Sequence, residues 1–307
     1  MRFAIALRVV SIMVLCMVPG YVLAKSKVID KVSLPGFAAI LLYVCQPCII
    51  YYTFRDLELT RELVANFGKV FAFSFLIMAA ILSAGYLLIK RWNGDSDMRI
   101  ATVAMAFSNC SFFGVPVLEA VMPGNSAAIA YTSIYGVAMN ILGWVGATTI
   151  ITGNTKYFSL KKAVLNPVII ACAACALLLA FGIKLPSDVD DMICLAGRMS
   201  TPLSMMLLGA RLASMDLKKV FLRKRQYVFT AVKHILAPLL VLLLLNLMAA
   251  DDTMRNTLFI IFCCPCASVV SNFAEMLGKG QEMAANLVVL GTMLSVITLP
   301  LMMMVGI

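Results

Sequence analysis

Two short stretches of small and polar residues interrupt an otherwise apolar chain, and their residue types suit the binding of an anion. One is Asn109-Cys-Ser-Phe-Phe-Gly-Val-Pro116, preceded by Ser108; the other is Cys264-Pro-Cys-Ala-Ser-Val-Val-Ser271, followed by Asn272. A proline inside a helix removes a donor and frees a carbonyl one turn back. In hydrocarbon each unsatisfied backbone group costs several kcal/mol, so a break survives only against protein or a water-filled cavity. Proline also suits the first turn of a helix. The pattern predicts two half-helices that start near Pro116 and Pro265 and aim free N–H groups and partial positive charge at a shared point. The candidate binding residues are Ser108, Asn109, Ser111, Gly114 and Pro116 from the first stretch, and Pro265, Ser268 and Asn272 from the second. The amide of Asn109 can donate to a carboxylate or accept from a hydroxyl. Capping of a broken helix end is the other role its type allows.

Charged groups near this site are few. Glu119 and Glu275 follow the two breaks and are the candidates for coupling to a proton, although both fall near span ends, where water is close. Arg198 and Arg211 flank Pro202; either could hold a carboxylate bidentately, and Arg211 also reads as an interfacial anchor. No pair of carboxylates converges within the apolar spans to argue for a sodium site, and the reading calls for no metal or cofactor. An intramembrane enzyme would need a converging catalytic set. The pairs Asp190–Asp191 and Asp251–Asp252 fall instead in expected outer loops, which argues against enzymatic activity. His234, beside Lys233, is expected to snorkel with it at the interface. Of the ten cysteines, nine fall in apolar spans and Cys194 near an outer edge. The two C-x-x-C spacings, Cys45–Cys48 and Cys172–Cys175, lack the βαβ context of a redox motif and read as helix-packing residues.

The elements that must position these groups are membrane helices. The chain is 62% hydrophobic and 13% charged, with a mean hydropathy of +0.97, and a bilayer core of roughly 30 Å takes about 20 apolar residues per helix. The apolar runs place spans at 3–24, 34–54, 67–89, 100–121, 127–151, 164–183, 192–213, 227–249, 256–277 and 284–306. An offset of 155 residues lays Pro47 on Pro202, Gly136 on Gly291 and one broken stretch on the other. Each half has five spans, an odd number, so the second half enters the membrane from the opposite side. The expected fold is therefore all-α and polytopic, with ten transmembrane helices in two inverted repeats and broken crossover helices 4 and 9. The first repeat takes residues 1–151, a short linker 152–163 and the second repeat 164–307. Inverted repeats with interrupted helices are the layout of secondary transporters. Pro47 and Pro202 fit either functional breaks or kinks satisfied by neighbouring helices.

A net charge of +10 invites a nucleic-acid partner, but its distribution answers otherwise. Lys25, Lys27 and Lys31 follow span 1; Lys90, Arg91 and Arg99 lie around the loop after span 3; Lys156, Lys161 and Lys162 follow span 5. Lys218, Lys219, Arg223, Lys224 and Arg225 follow span 7. The positive-inside rule makes these odd-numbered loops cytoplasmic and puts both termini outside. Arg2 and Arg8 ahead of an apolar run give span 1 the look of a signal peptide, but Arg8 interrupts that run and its removal would leave nine spans.

The stretch Phe107-Ser-Asn-Cys-Ser-Phe-Phe-Gly-Val-Pro116 resembles the crossover motif of the auxin efflux carrier family. Leu165-Asn-Pro167, Pro202-Leu-Ser-Met-Met-Leu-Leu-Gly209 and the Pro265 region are similar to that family too, so the resemblance spans essentially the whole chain. Asn109, Pro116 and Pro265 match its crossover positions. The resemblance implies a scaffold of helices 1, 2, 6 and 7, a moving unit of helices 3–5 and 8–10, and elevator-type transport. It implies organic-anion substrates: indole acetate in the plant carriers, malate or related carboxylates in bacterial members. The short link from Thr152 to Lys162 departs from the large loop of many plant carriers, which favours a compact microbial permease of the inner membrane. The partners expected are a small organic anion and the lipid bilayer, with the scaffold helices as the surface through which a homodimer would form. A sodium-coupled anion symporter on the plan of the bile-acid carriers is the rival reading.

Overall fold

Residues 2–30, 32–91 and 95–306 are described by the computed structural model; Lys31 and the side chains of Arg91 and Lys219, used above as topology signals, lie outside that description. Among the described residues the chain is helical, with no strand beyond one isolated bridge. Eight helices among the described residues are long and apolar enough to cross a membrane: Arg2–Lys25, Leu34–Phe54, Arg61–Lys90, Ser126–Thr152, Thr155–Ala180, Ser187–Ala213, Lys224–Leu247 and Gln281–Gly306. The expected spans 100–121 and 256–277 fail that criterion because each is cut in two. Ser96–Ala106 is followed by Cys110–Val121, and Asp252–Cys263 by Val269–Leu277.

Proline shapes these helices by a device that spacing alone did not reveal. A π-helical turn at Leu41–Cys45 precedes Pro47, one at Cys110–Gly114 precedes Pro116, and one at Val232–Leu236 precedes Pro238. A proline ring clashes with the carbonyl four residues back; a wider turn relieves that clash and lets the helix run on. Pro47 and Pro202 therefore mark adjustments in nearly continuous helices, the second interrupted only at Met199.

Two groups of helix contacts stand out, and contacts of Arg2–Leu15 with Gln281–Gly306 and of Gln46–Phe54 with Ser126–Leu142 join them. Met17–Lys25 lies along Ser200–Ala213, and Gln46–Phe54 packs on both Ser187–Arg198 and Pro167–Ala180. In the other group Arg61–Arg91 packs on Ser126–Leu142 and Ser96–Ala106, and Asp252–Cys263 on Ala237–Leu247. The first group depends on glycine. A Cβ on Gly209 would lie 1.9 Å from the Met17 carbonyl oxygen, and one on Gly20 1.8 Å from that of Met206. Small residues let membrane helices approach to backbone contact, where dispersion and packing hold them without a hydrophobic drive. Arg2–Leu15 packs along Gln281–Gly306. Outward-facing Leu76, Leu87, Leu177, Leu243 and Ile297 give the bundle an apolar exterior.

Candidate functional site

The two breaks meet. Phe107 is extended (φ −103°, ψ 124°) and so is Cys264 (φ −64°, ψ 150°), which takes both chains out of helix at the same depth. The Asn109 N–H donates to the Pro265 carbonyl at 2.9 Å, and the Ala267 N–H to the Phe107 carbonyl at 3.1 Å. These two bonds form an antiparallel bridge of Ser108 with Cys266. Each break thereby satisfies backbone groups of the other, which meets the requirement that no peptide group be left bare in an apolar interior. The buried Ser108 N–H donates to the Tyr135 hydroxyl at 3.1 Å.

Beyond the bridge each helix restarts, and the restart differs from the expectation at the first break. The half-helix begins at Cys110, six positions before Pro116, because the π turn carries the proline inside the helix; Gly114 N–H reaches back to the Asn109 carbonyl at 3.0 Å. The second begins at Val269, just past Pro265. The first N–H groups of a helix have no acceptor within it, so both starts carry partial positive charge.

A cavity of ≈ 90 Å³ opens at these restarts, between the two helix groups. From the crossover it is lined by Ser108, Asn109, Ser111, Ser268 and Asn272, five of the expected binding residues. Gly114, Pro116 and Pro265 do not line it. Gly114 lies within the π turn, Pro265 offers its carbonyl to the bridge, and Pro116 faces a separate recess on the far side of the crossover. Asn109 is 6% exposed and makes no side-chain cap bond, so its amide is free for a ligand and the capping role does not apply.

Three polar residues that line the cavity were missed, Gln46, Asn140 and Ser204; Arg211, expected as one of two arginines able to hold a carboxylate, lines it as well. Gln46 Nε2 donates to Ser111 Oγ at 3.2 Å, linking the first helix group to the crossover, and Asn140 Nδ2 donates to the Gly136 carbonyl at 2.8 Å. A polar side chain within an apolar span was the signal that could have found them. Arg211 reaches the cavity wall: its Nη2 lies 3.5 Å from Asn272 Oδ1 and pairs with Glu275 at 3.4 Å. It also lines a wider recess of ≈ 600 Å³ with Ser214, Asp216 and Glu275, so it stands between the cavity and that opening.

The opposite side has a comparable arrangement. The Tyr52 hydroxyl donates to Glu119 at 2.5 Å and accepts from Arg198 Nη2 at 3.3 Å, with the Arg198 guanidinium 5.1 Å from the Tyr52 ring centre. Both candidate coupling carboxylates are thus tied to an arginine of Ser187–Ala213, one directly and one through a tyrosine.

Other expectations need correction. Lys233 and His234 do not snorkel: they are 2% and 1% exposed, and Lys233 Nζ donates to Ser108 Oγ at 2.5 Å. The expected place of Cys194 near an outer edge is not among these; its thiol is buried under Arg55, whose Nη1 donates to the sulfur at 2.9 Å. Asp190 and Asp191 stand in the helix Ser187–Arg198 rather than in a loop, Asp190 accepting from Tyr51 at 2.7 Å; Asp251 caps Asp252–Cys263. All ten cysteines are free thiols.

The model of a family described as membrane transport protein matches residues 4–303. No curated protein matches the chain.

Proposed function

Because the chain belongs to the membrane transport protein family, that of the auxin efflux carriers, we propose that it is a secondary carrier for a small organic anion, a carboxylate. In this reading the anion binds in the crossover cavity and crosses by elevator-type alternating access. The carrying observation is the pairing of two broken helices at Asn109–Pro265 and Phe107–Ala267, with a free Asn109 amide and Arg211 on the adjoining cavity. Helix starts, an amide and a guanidinium make a donor-rich pocket, the chemistry a carboxylate requires. The cavity lies between the two helix groups, the place where one group sliding past the other would carry a ligand.

The inverted repeat belongs to the same proposal. The two breaks run antiparallel, as helices entering from opposite sides would. Gly136 faces the first break at Cys110 and Gly291 the second at Pro265, the two glycines being one repeat offset apart. Helices 1, 2, 6 and 7 act as scaffold and the rest as the moving unit, with both termini outside.

The test is counterflow in proteoliposomes against a panel of mono- and dicarboxylates, with imposed proton and sodium gradients. Saturable exchange of at least one carboxylate supports the reading. Exchange that requires sodium transfers it to the bile-acid carrier type, and exchange of none of the panel ends it.

A further inference from the structure

Beside the crossover the protein encloses a cation. Lys233 projects from the π turn Val232–Leu236, 2% exposed, in a helix interior rather than at an interface. Its ammonium donates to Ser108 Oγ at 2.5 Å and lies 5.6 Å from the Phe262 ring centre. The space beside it, bounded by Thr230, His234, Cys266 and Gly291, is ≈ 10 Å³. That volume is at the threshold for one water, so no counter-ion fits there. Among the described residues no carboxylate pairs with Lys233; the surrounding titratable groups are the thiols of Cys110, Cys263, Cys264 and Cys266, and His234, whose Nδ1 engages Thr298.

One hydroxyl and one ring face offset only part of the cost of burying an ammonium. A buried charge without a partner is among the largest destabilising features a protein carries. Ser108 offers the explanation. Its hydroxyl accepts from Lys233, and the same residue belongs to the crossover bridge and lines the anion cavity. The charge of Lys233 is therefore separated from a ligand in that cavity by a single residue of dry, low-dielectric protein, where electrostatic attraction is strong.

We propose that Lys233 is the counter-charge of the transported anion, a positioning residue that acts through Ser108 and makes the crossover selective for negative ligands. The inference rests on the anion reading above and deepens it. The unliganded site carries a buried positive charge, and the ligand neutralises it. At the repeat offset, the first half holds fully buried Met78 where the second holds Lys233, so the charge belongs to one half alone and lysine-to-methionine is a substitution of similar length.

The test uses the full-length protein in nanodiscs, as wild type, Lys233→Met and Lys233→Arg. Two readouts are taken: melting without ligand, and affinity for L-malate, succinate and acetate against their uncharged methyl esters. The expected results for Lys233→Met are a melting temperature equal to or above wild type and carboxylate affinity lowered about tenfold or more, the order of one hydrogen bond to a charged group. Ester affinity should stay unchanged, and Lys233→Arg should keep the preference for the acid over the ester. Unchanged carboxylate affinity in Lys233→Met overturns the proposal, as does a large drop in its melting temperature with acid and ester weakened alike, which is the mark of a structural strut. If wild type binds none of the three acids while its fold is intact, the anion reading itself falls and this inference with it.

Discussion

Asn109 and Pro265 are joined backbone to backbone at 2.9 Å, and that bond leaves the Asn109 side-chain amide turned to the cavity without a partner among the described residues. Removing the amide therefore costs the fold little and the ligand much. Asn109→Ala should weaken carboxylate binding by about 1.5–3 kcal/mol, roughly ten- to a hundredfold, with melting nearly unchanged. Direct binding isotherms check it; wild-type affinity in the variant would reduce the crossover to a structural kink.

Arg211 is shared between Asn272 and Glu275, and the two partners predict opposite effects. Arg211→Ala should lower anion affinity. Glu275→Gln should raise it a few-fold by releasing the guanidinium to the cavity. Stability should hardly move in Glu275→Gln, because a half-exposed pair contributes about 0–1 kcal/mol. Equal effects of both variants on binding would place Arg211 outside the site.

Thiol labelling reads the cavity directly. Cys110 is 2% exposed, with its sulfur 3.7 Å from Ser111 Oγ, so it should react slowly with a small polar reagent. Ser268, half-buried on the cavity wall, is the better probe. Ser268→Cys should react faster than Cys110, and a saturating carboxylate should slow that reaction; labelling that no carboxylate affects would remove Ser268 from the binding surface.

The close contact of Met17–Lys25 with Ser200–Ala213 gives a stability prediction. Gly209→Val should cost ~4 kcal/mol or more, since its side chain meets backbone rather than a movable neighbour. Gly68→Ala, with nothing within 4 Å of its new Cβ, should be neutral or stabilising by up to about 1 kcal/mol. Size-exclusion yield and melting of the two variants separate them.

Topology is tested with reporters. A C-terminal reporter that works only in the cytoplasm should stay silent, and one placed between Lys218 and Arg225 should be active. A bright C-terminal signal would remove the odd number of crossings on which the inverted repeat depends.

Proline and small polar residues inside apolar runs make both breaks readable in the sequence, and the positions of Ser108, Asn109, Ser111, Ser268 and Asn272 on the cavity wall follow from those breaks. The start of the first half-helix was misplaced by six residues, because a π turn absorbs Pro116 and nothing in spacing marks such a turn. Lys233 was misread for a related reason. Hydropathy gives a residue's position along a span but not the direction of its side chain, and a lysine near a span end looks like an anchor whether it points to water or to Ser108. Gln46 was hidden by its neighbours, Cys45, Pro47 and Cys48, which drew attention to thiols and kinks instead of to the amide.

The backbone bridge also constrains how the protein can be made. The Asn109 N–H and the Phe107 carbonyl take their partners from Pro265 and Ala267, which are translated more than 150 residues later. At ordinary elongation rates the interval is on the order of 10–30 s. For that time the early break stands in the membrane with neither partner available, a condition that costs several kcal/mol for each bare group in hydrocarbon. The nascent first half must therefore keep its break wet, or shielded within the insertion machinery, until the late segment arrives. Premature termination after residue 151 would leave a fragment with an open backbone seam, and such a fragment is a natural target for membrane quality control.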